Sequence, residues 1–367
     1  MGRRLSRRRD GRISWRPDFD VVGCTRGSEG CVGTGGAAVP ASVKRRENDV
    51  GGLFQHPVRG DGVEQKGVLY GAIIFVFASF FGLIGLLVYE SYKANKMKEL
   101  AKSIKTETVQ AASSVASHDF SMYKSKIGDE GREMVHVPEG PFTMGSQDGD
   151  PDEAPEHQVF LKGYFIDRKE VTQAEYQRFA KMTKRTMPRI EVFEDDQSKL
   201  LQPEFAAMSV SWDDAAAYCK WAGKRLPTEA EWEKAGRGEG KKTYPWGDKF
   251  VVNAANVDGR EDGYKYLAPP GSFESGRSPY GLYDMTGNVA EWVSDSYDDQ
   301  YYKKSPYRDP KGPDSADLRV VRGGSWRETE HNARLSKRFA AKHWRTDITI
   351  GIRCASDLEP ESGASAP

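Results

Sequence analysis

Hydrophobic and polar positions change their period twice along the chain, and each change marks a different kind of segment. From Val68 to Tyr89 the run VLYGAIIFVFASFFGLIGLLVY is 22 residues without one charge. At a helical rise of about 1.5 Å per residue this length matches a hydrocarbon core of about 30 Å. A buried helix rarely lacks polar residues on every side, and a cleaved signal peptide is shorter and sits at the N-terminus. The pattern therefore predicts one transmembrane helix over 68–89. Residues 90–132 keep a helix-forming composition, with Met97, Leu100, Ile104 and Val109 on a rough apolar stripe, and read as a juxtamembrane helix or linker. From Glu133 short alternating runs (MVHVP, HQVFL, YFIDR) interleave with helical ones (TQAEYQRFAKM, WDDAAAYCKWAG, TEAEWEKAGR) and with loops rich in Gly, Pro, Asp and Tyr. Ser211 with Asp214, and Thr228 with Glu231, are helix starts with a capping residue and an acid three positions on. Ala215, Tyr218, Cys219 and Ala222 then share one helical face, which predicts core.

Composition adjusts this picture at the ends. Lys plus Arg equals Asp plus Glu at 54 each, so no global field argues for a nucleic-acid partner, and none is expected. Residues 1–67 are basic, rich in Gly and without apolar periodicity, which predicts a solvated, disordered tail; 359–367 reads as a short flexible tail. Membrane orientation draws two opposed signals. The N-terminal 68 residues carry 13 cations, which favours retaining them in the cytoplasm, whereas SYKANKMKELAKSIK just after the span holds five lysines and points the other way.

The motifs GPFTMGS, HQVFLKGYFIDRKEVTQAEYQRF, SWDDAAAYCKWAGKRLPTEAEWEKAGRG, YPWGD, YGLYDMTGNVAEWVSD, RVVRGGSW and GIRCASD occur in this order across 133–358. Together they resemble the formylglycine-generating enzyme (sulfatase-modifying factor) superfamily. The resemblance implies an α+β, C-type-lectin-like fold with little regular secondary structure and bound structural calcium. In DMTGNVAEW it places ligands at Asp284, Gly287, Val289 and Glu291, and in AANVDGREDGY at Asn256, Val257, Asp262 and Tyr264. Hard carboxylate and carbonyl oxygens suit that ion; for an isolated acidic loop plain solvation is the better explanation, and it is the match of two loops in sequence order that favours calcium. The resemblance also implies a disulfide between Cys219 and Cys354, which would form only in an oxidising compartment; two buried free thiols are the alternative. With the basic tail, these features favour a periplasmic or extracellular domain on a single-pass membrane protein.

Members of that superfamily bind copper(I) with two cysteines shortly after GGS and oxidise a substrate cysteine, thiolates being soft ligands suited to the ion. Counted from Ser325, those positions are Glu328 and Ala333 here, so neither copper nor formylglycine-generating activity is expected. The neighbouring ETEH cluster, with Glu328 and His331, could ligate another metal or move protons, but a polar surface loop explains the same letters. No Ser/His/Asp array, Gly-rich phosphate loop or HExxH pattern occurs elsewhere. Two functions stay open. One is a membrane-anchored, non-catalytic member whose groove, with candidate residues Trp326, Glu328, His331, Arg334 and Arg338, binds a peptide, a glycan or a neighbouring protein subunit of an envelope complex. The other is an extracytoplasmic metal-dependent oxidase or maturation enzyme with an altered site.

The anchor has a direct test. The full chain should stay with membranes through alkaline extraction, and deletion of 68–89 should release it, because that is the one segment whose composition requires lipid. Retention of the deleted form would locate the membrane contact in another part of the chain.

Overall fold

The computed structural model describes residues 84–99, 119–188, 200–259 and 261–358, with the single positions 82, 102 and 190. The chain divides into two units, Met1–Glu99 and Leu100–Pro367. In the first, 84–99 is helical, and the apolar side chains of Leu86, Leu87, Val88 and Tyr89 are exposed. Most of the predicted span, and both predicted tails, lie outside the described residues. Among the described residues no helix is long and apolar enough to cross a membrane.

Among its described residues the second unit contains ten short strands and three α-helices. Strands β1 (Ser125–Ile127), β2 (Glu133–Val137), β5 (Tyr164–Asp167) and β10 (Ala355–Asp357) form an antiparallel sheet in the order β1-β2-β5-β10. β3 (Gly140–Met144) and β4 (His157–Leu161) make a separate pair. A third sheet runs β8 (Arg338–Lys342), β7 (Leu318–Arg322), β6 (Ala290–Ser296) and β9 (Ile350–Gly351), with β6 and β9 parallel. The predicted boundary at Glu133 is too late. β1 pairs residue by residue with β2, and Tyr123 packs edge-on against Tyr280 at 5.1 Å, so the domain takes in the end of the stretch read as linker. The polar, short β1 carries too little apolar alternation to be visible without its partner.

All three predicted helices form: α1 (Gln173–Thr183), α2 (Trp212–Trp221) and α3 (Glu229–Arg237). Thr172 and Thr228 close complete capping boxes with Glu175 and Glu231, and Ser211 accepts from the Asp214 amide. Ala215, Tyr218 and Cys219 of α2 are buried beside Val171, Tyr176, Phe179 and Trp292, as the face predicts. Cys219 is bonded to Cys354 with Cα atoms 5.6 Å apart, closing a separation of 135 residues. A bridge over a loop of this size contributes on the order of 4–5 kcal/mol on the chain-entropy account.

α3 behaves differently from its sequence. TEAEWEKAGR alternates like a surface helix, yet every residue from Glu229 to Arg237 is buried. Its acids are neutralised internally. Arg338 grips Glu229 with two bonds, Nε to Oε1 at 2.7 Å and Nη2 to Oε2 at 3.0 Å. Arg322 from β7 reaches both Glu229, at 3.1 Å, and Glu233. Glu233 also accepts from the Gly145 amide at 2.7 Å, and Lys234 donates to the carbonyls of Pro138 and Gly140. Burial alone would raise the Glu229 carboxyl, but Arg338 and Arg322 hold it below its usual range. The helix thus joins the β3 end, through hydrogen bonds to its backbone, to the third sheet, through ion pairs shielded from water, where removing one partner typically costs about 3–5 kcal/mol.

Two predictions follow from this packing. Arg338→Ala should destabilise the domain by about 3–5 kcal/mol in denaturant unfolding, with Glu229→Gln in the same chain recovering part of the loss, because the cost is a stranded carboxylate. The second concerns Asp295, which accepts from the Glu229 amide at 2.9 Å at the start of α3. Burial, and then the Glu229 charge, push its carboxyl from 3.8 up to about 7. A folded value above the unfolded one stabilises fully below about pH 4, and the contribution is lost as pH rises through 7. Asp295→Asn keeps the accepting oxygen and removes the charge. It should match the parent near pH 4 and exceed it at pH 8 by on the order of 4 kcal/mol, read as a higher Tm. An unchanged difference between the two pH values would refute the assignment.

Candidate functional site

The segment after β7 is built around RGGSW. Gly324 has φ +68°, and a Cβ there would lie 2.9 Å from the Ala333 Cα, so the chain folds back on itself where only glycine fits. This return brings positions 328 and 333 into one loop. Ala333 is fully buried beneath it, and Glu328 accepts from the Asn332 side chain at 2.7 Å. Backbone bonds hold the segment from two sides: the Trp326 amide donates to the Asn288 carbonyl at 2.9 Å, and the Glu328 carbonyl accepts from the Asp258 amide at 2.8 Å. Both partners belong to the loops singled out for calcium.

The five groove candidates separate into two groups, which corrects the idea of one binding surface. Trp326 is core: its ring meets Tyr266 edge-on at 5.5 Å within a cluster of Leu200, Met208, Leu267 and Val289. Arg334 is buried in a two-pronged pair with Glu153, at 2.9 and 2.8 Å, and Arg338 is committed to Glu229. These three residues hold the fold and offer no donors to a partner. Glu328 is half-buried, while Arg327, Thr329, Glu330 and His331 are exposed. Glu330 borders a cavity of about 360 Å³ whose other walls include Phe250, Val257, Asp258 and Asp262. Phe250 comes from an aromatic group with Tyr244 and Trp246, and the Tyr244 hydroxyl donates to the Glu330 carbonyl at 3.0 Å. Among the described residues no three His, Cys, Asp or Glu side chains converge as a metal centre, so Glu328, Glu330 and His331 do not form one.

The calcium candidates fall into two adjoining loops. In the first, Asp262 accepts from the amides of Val257, at 3.2 Å, and Tyr264, at 2.8 Å, closing the turn that contains all four residues. Burial raises its carboxyl above the usual range. In the second, Asp284 accepts from the Gly271 amide at 2.6 Å, and Glu291 is held by Arg353 at 2.7 Å and by the Trp232 indole at 2.7 Å. Glu170, absent from the sequence-derived set, completes this group. It is fully buried and accepts from the Val289 amide at 3.0 Å and the Asn288 side chain at 2.5 Å. Burial and the nearby charges of Asp284 and Glu291 push Glu170 well above its usual range, and burial pushes Asp284 up to about 6. Glu170, Asp284 and Glu291 are three buried acids, and Arg353 is the buried guanidinium that faces them. Arg353 and Lys169 oppose these acids, and the loop's own donors, the Asp284 and Glu291 carboxylates with the Gly287 and Val289 carbonyls, are hard oxygens of the kind calcium takes. Glu170 lies three residues after the end of β5 and two before the Thr172 helix cap, a place where a carboxylate reads as part of a helix start. No local signal distinguishes it.

The sequence profile of the sulfatase-modifying factor enzyme 1-like domain matches residues 119–358. The chain is 34% identical over 278 residues to the mouse protein called inactive C-alpha-formylglycine-generating enzyme 2, covering 61% of this chain and 85% of that one. It is 33% identical over 294 residues to the formylglycine-generating enzyme of Streptomyces coelicolor, covering 64% and 92%. Among solved structures, PvdO from Pseudomonas aeruginosa matches with a TM-score of 0.57 and 30% identity, over 64% of this chain and 98% of that one. The mixed sheet and helix architecture is therefore that of the formylglycine-generating-enzyme-like fold. Because the profile extends from just ahead of β1 to just beyond β10, the chain belongs to the family of sulfatase-modifying factor enzyme 1-like domains.

Proposed function

We propose that the chain is a membrane-anchored, non-catalytic member of this family, whose domain serves as a binding or structural subunit of an envelope complex. The observation that carries this reading is the chemistry of the two positions after GGS. Glu328 is engaged by Asn332, and Ala333 is buried with a methyl group where the family resemblance places a soft ligand. Cys219 and Cys354 are consumed by their own bridge and supply no thiolate in their place. The similarity to a relative named as inactive agrees with this.

In this reading 68–89 anchors the chain and the disulfide-bearing domain works outside the cytoplasm, where such a bond persists. Calcium would be held by Asn256, Val257, Asp262 and Tyr264 in one loop and by Asp284, Gly287, Val289 and Glu291 in the other. Its contribution would be structural, offsetting buried carboxylate charge and fixing the loops that clasp the 326–328 segment. The surface open to a partner protein is then the exposed edge of Arg327, Glu330 and His331 with the adjoining cavity, rather than the buried arginines.

Elemental analysis and a turnover assay test the proposal together. The purified chain should carry calcium and no stoichiometric copper, zinc or iron. Supplied with copper(I) and oxygen, it should leave a cysteine peptide unoxidised under conditions in which a catalytic relative converts it. Stoichiometric copper or iron, or peptide turnover abolished by Glu328→Ala with His331→Ala, would overturn the non-catalytic reading in favour of an altered enzyme.

A further inference from the structure

We propose that Asn288 and Glu170 couple the two calcium loops, so that occupation of one raises the affinity of the other. The inference rests on the calcium reading and adds to it a property of the pair. Asn288 sits between Gly287 and Val289 with φ +57° and is buried. Its backbone amide donates to the Asn256 carbonyl at 2.7 Å. Its side-chain oxygen accepts from the Asn256 amide group at 3.1 Å and from the Ala268 backbone at 3.0 Å, and its side-chain nitrogen donates to Glu170. One side chain therefore touches a candidate ligand of the first loop and the carboxylate that braces the second.

The hydrogen bonds also set orientation. Asn256 donates from its Nδ2 to both Asn288 and the Tyr266 carbonyl, at 2.8 Å, which leaves its Oδ1 as the atom free to serve as a ligand. Glu170 accepts from the Val289 amide, so the peptide planes at 288 and 289 are fixed by the same carboxylate that holds the Asn288 side chain. Gly287 is equally committed, since its Cα hydrogen side faces the Asn256 carbonyl at a distance that admits no Cβ. Ordering either loop thus orders the shared amide, and the second loop does not have to be ordered again. Repulsion between two cations works in the opposite direction, and the sign of the coupling reports which effect is larger.

Calcium titration of the full chain by calorimetry, after removal of bound metal with chelator, measures this. Asp262→Asn disables the first loop. In the parent chain it should weaken binding at the second loop about five- to tenfold, within the usual size of coupling between sites. In an Asn288→Gly background, where glycine retains the positive φ and only the link is lost, Asp262→Asn should leave the second loop unchanged. Glu170→Gln gives the same cycle from the other end: it keeps the size and an acceptor for Val289 but sets a donor against the Asn288 nitrogen. Circular dichroism checks folding, and the glutamine cycle decides if the glycine variant does not fold. Two independent binding events in the parent chain, or coupling of the opposite sign, overturn the proposal while leaving calcium binding intact. No calcium binding by the parent chain overturns both.

Discussion

The buried carboxylate–guanidinium contacts around α3 are the constraint on which the rest of the domain depends. A helix carrying Glu229, Glu231, Glu233, Lys234 and Arg237 is enclosed on every side, so each charge must meet a partner inside the protein. Arg322 and Arg338 come from neighbouring strands of the third sheet, and Glu233 also receives the backbone of Gly145 from the β3 end. Ion pairs of this kind add little net stability compared with apolar packing, but they penalise every arrangement that leaves one charge unmatched. They select one register for β7, β8 and the loop between them.

That selection explains the state of the segment that would carry chemistry. The loop from Ser325 to Ser336 is closed at its far end by Arg334 on Glu153 and beneath by Arg338 on Glu229, with Ala333 filling the space under Gly324. Its side chains are spent on holding the loop in place. A segment so fixed, and lacking thiols, is suited to presenting a rigid surface. Arg327, Glu330 and His331 of this segment are exposed, and Glu330 borders a modest cavity.

The two acidic loops provide the complementary support. Their backbones grip the 326–328 segment from both sides, through Asn288 and Asp258, and they contact each other through Asn256. Glu170, Asp284 and Glu291 are buried acids opposed by Arg353 and Lys169, and burial raises the Glu170 and Asp284 carboxyls.

The chain by itself determined those features that depend on neighbours in sequence. The helix starts at Ser211 and Thr228 follow from side chains that reach their own backbone three residues on, and the core face of α2 follows from helical periodicity. Ordered motifs were enough to recognise the family, to pair Cys219 with Cys354 and to see that cysteine is missing at 328 and 333. Tertiary structure alone decided which charges are structural. Arg334 and Arg338 look like recognition residues in the linear sequence, because nothing local shows that Glu153 and Glu229, 181 and 109 positions away, take up their donors. Glu170 stayed hidden for the same reason: a carboxylate beside a helix cap is ordinary until the fold carries Asp284 and Glu291 to it. Local pattern encodes what a residue can do within its own turn or strand, and long-range charge pairing, set only when the sheets close on α3, decides what is left for it to do.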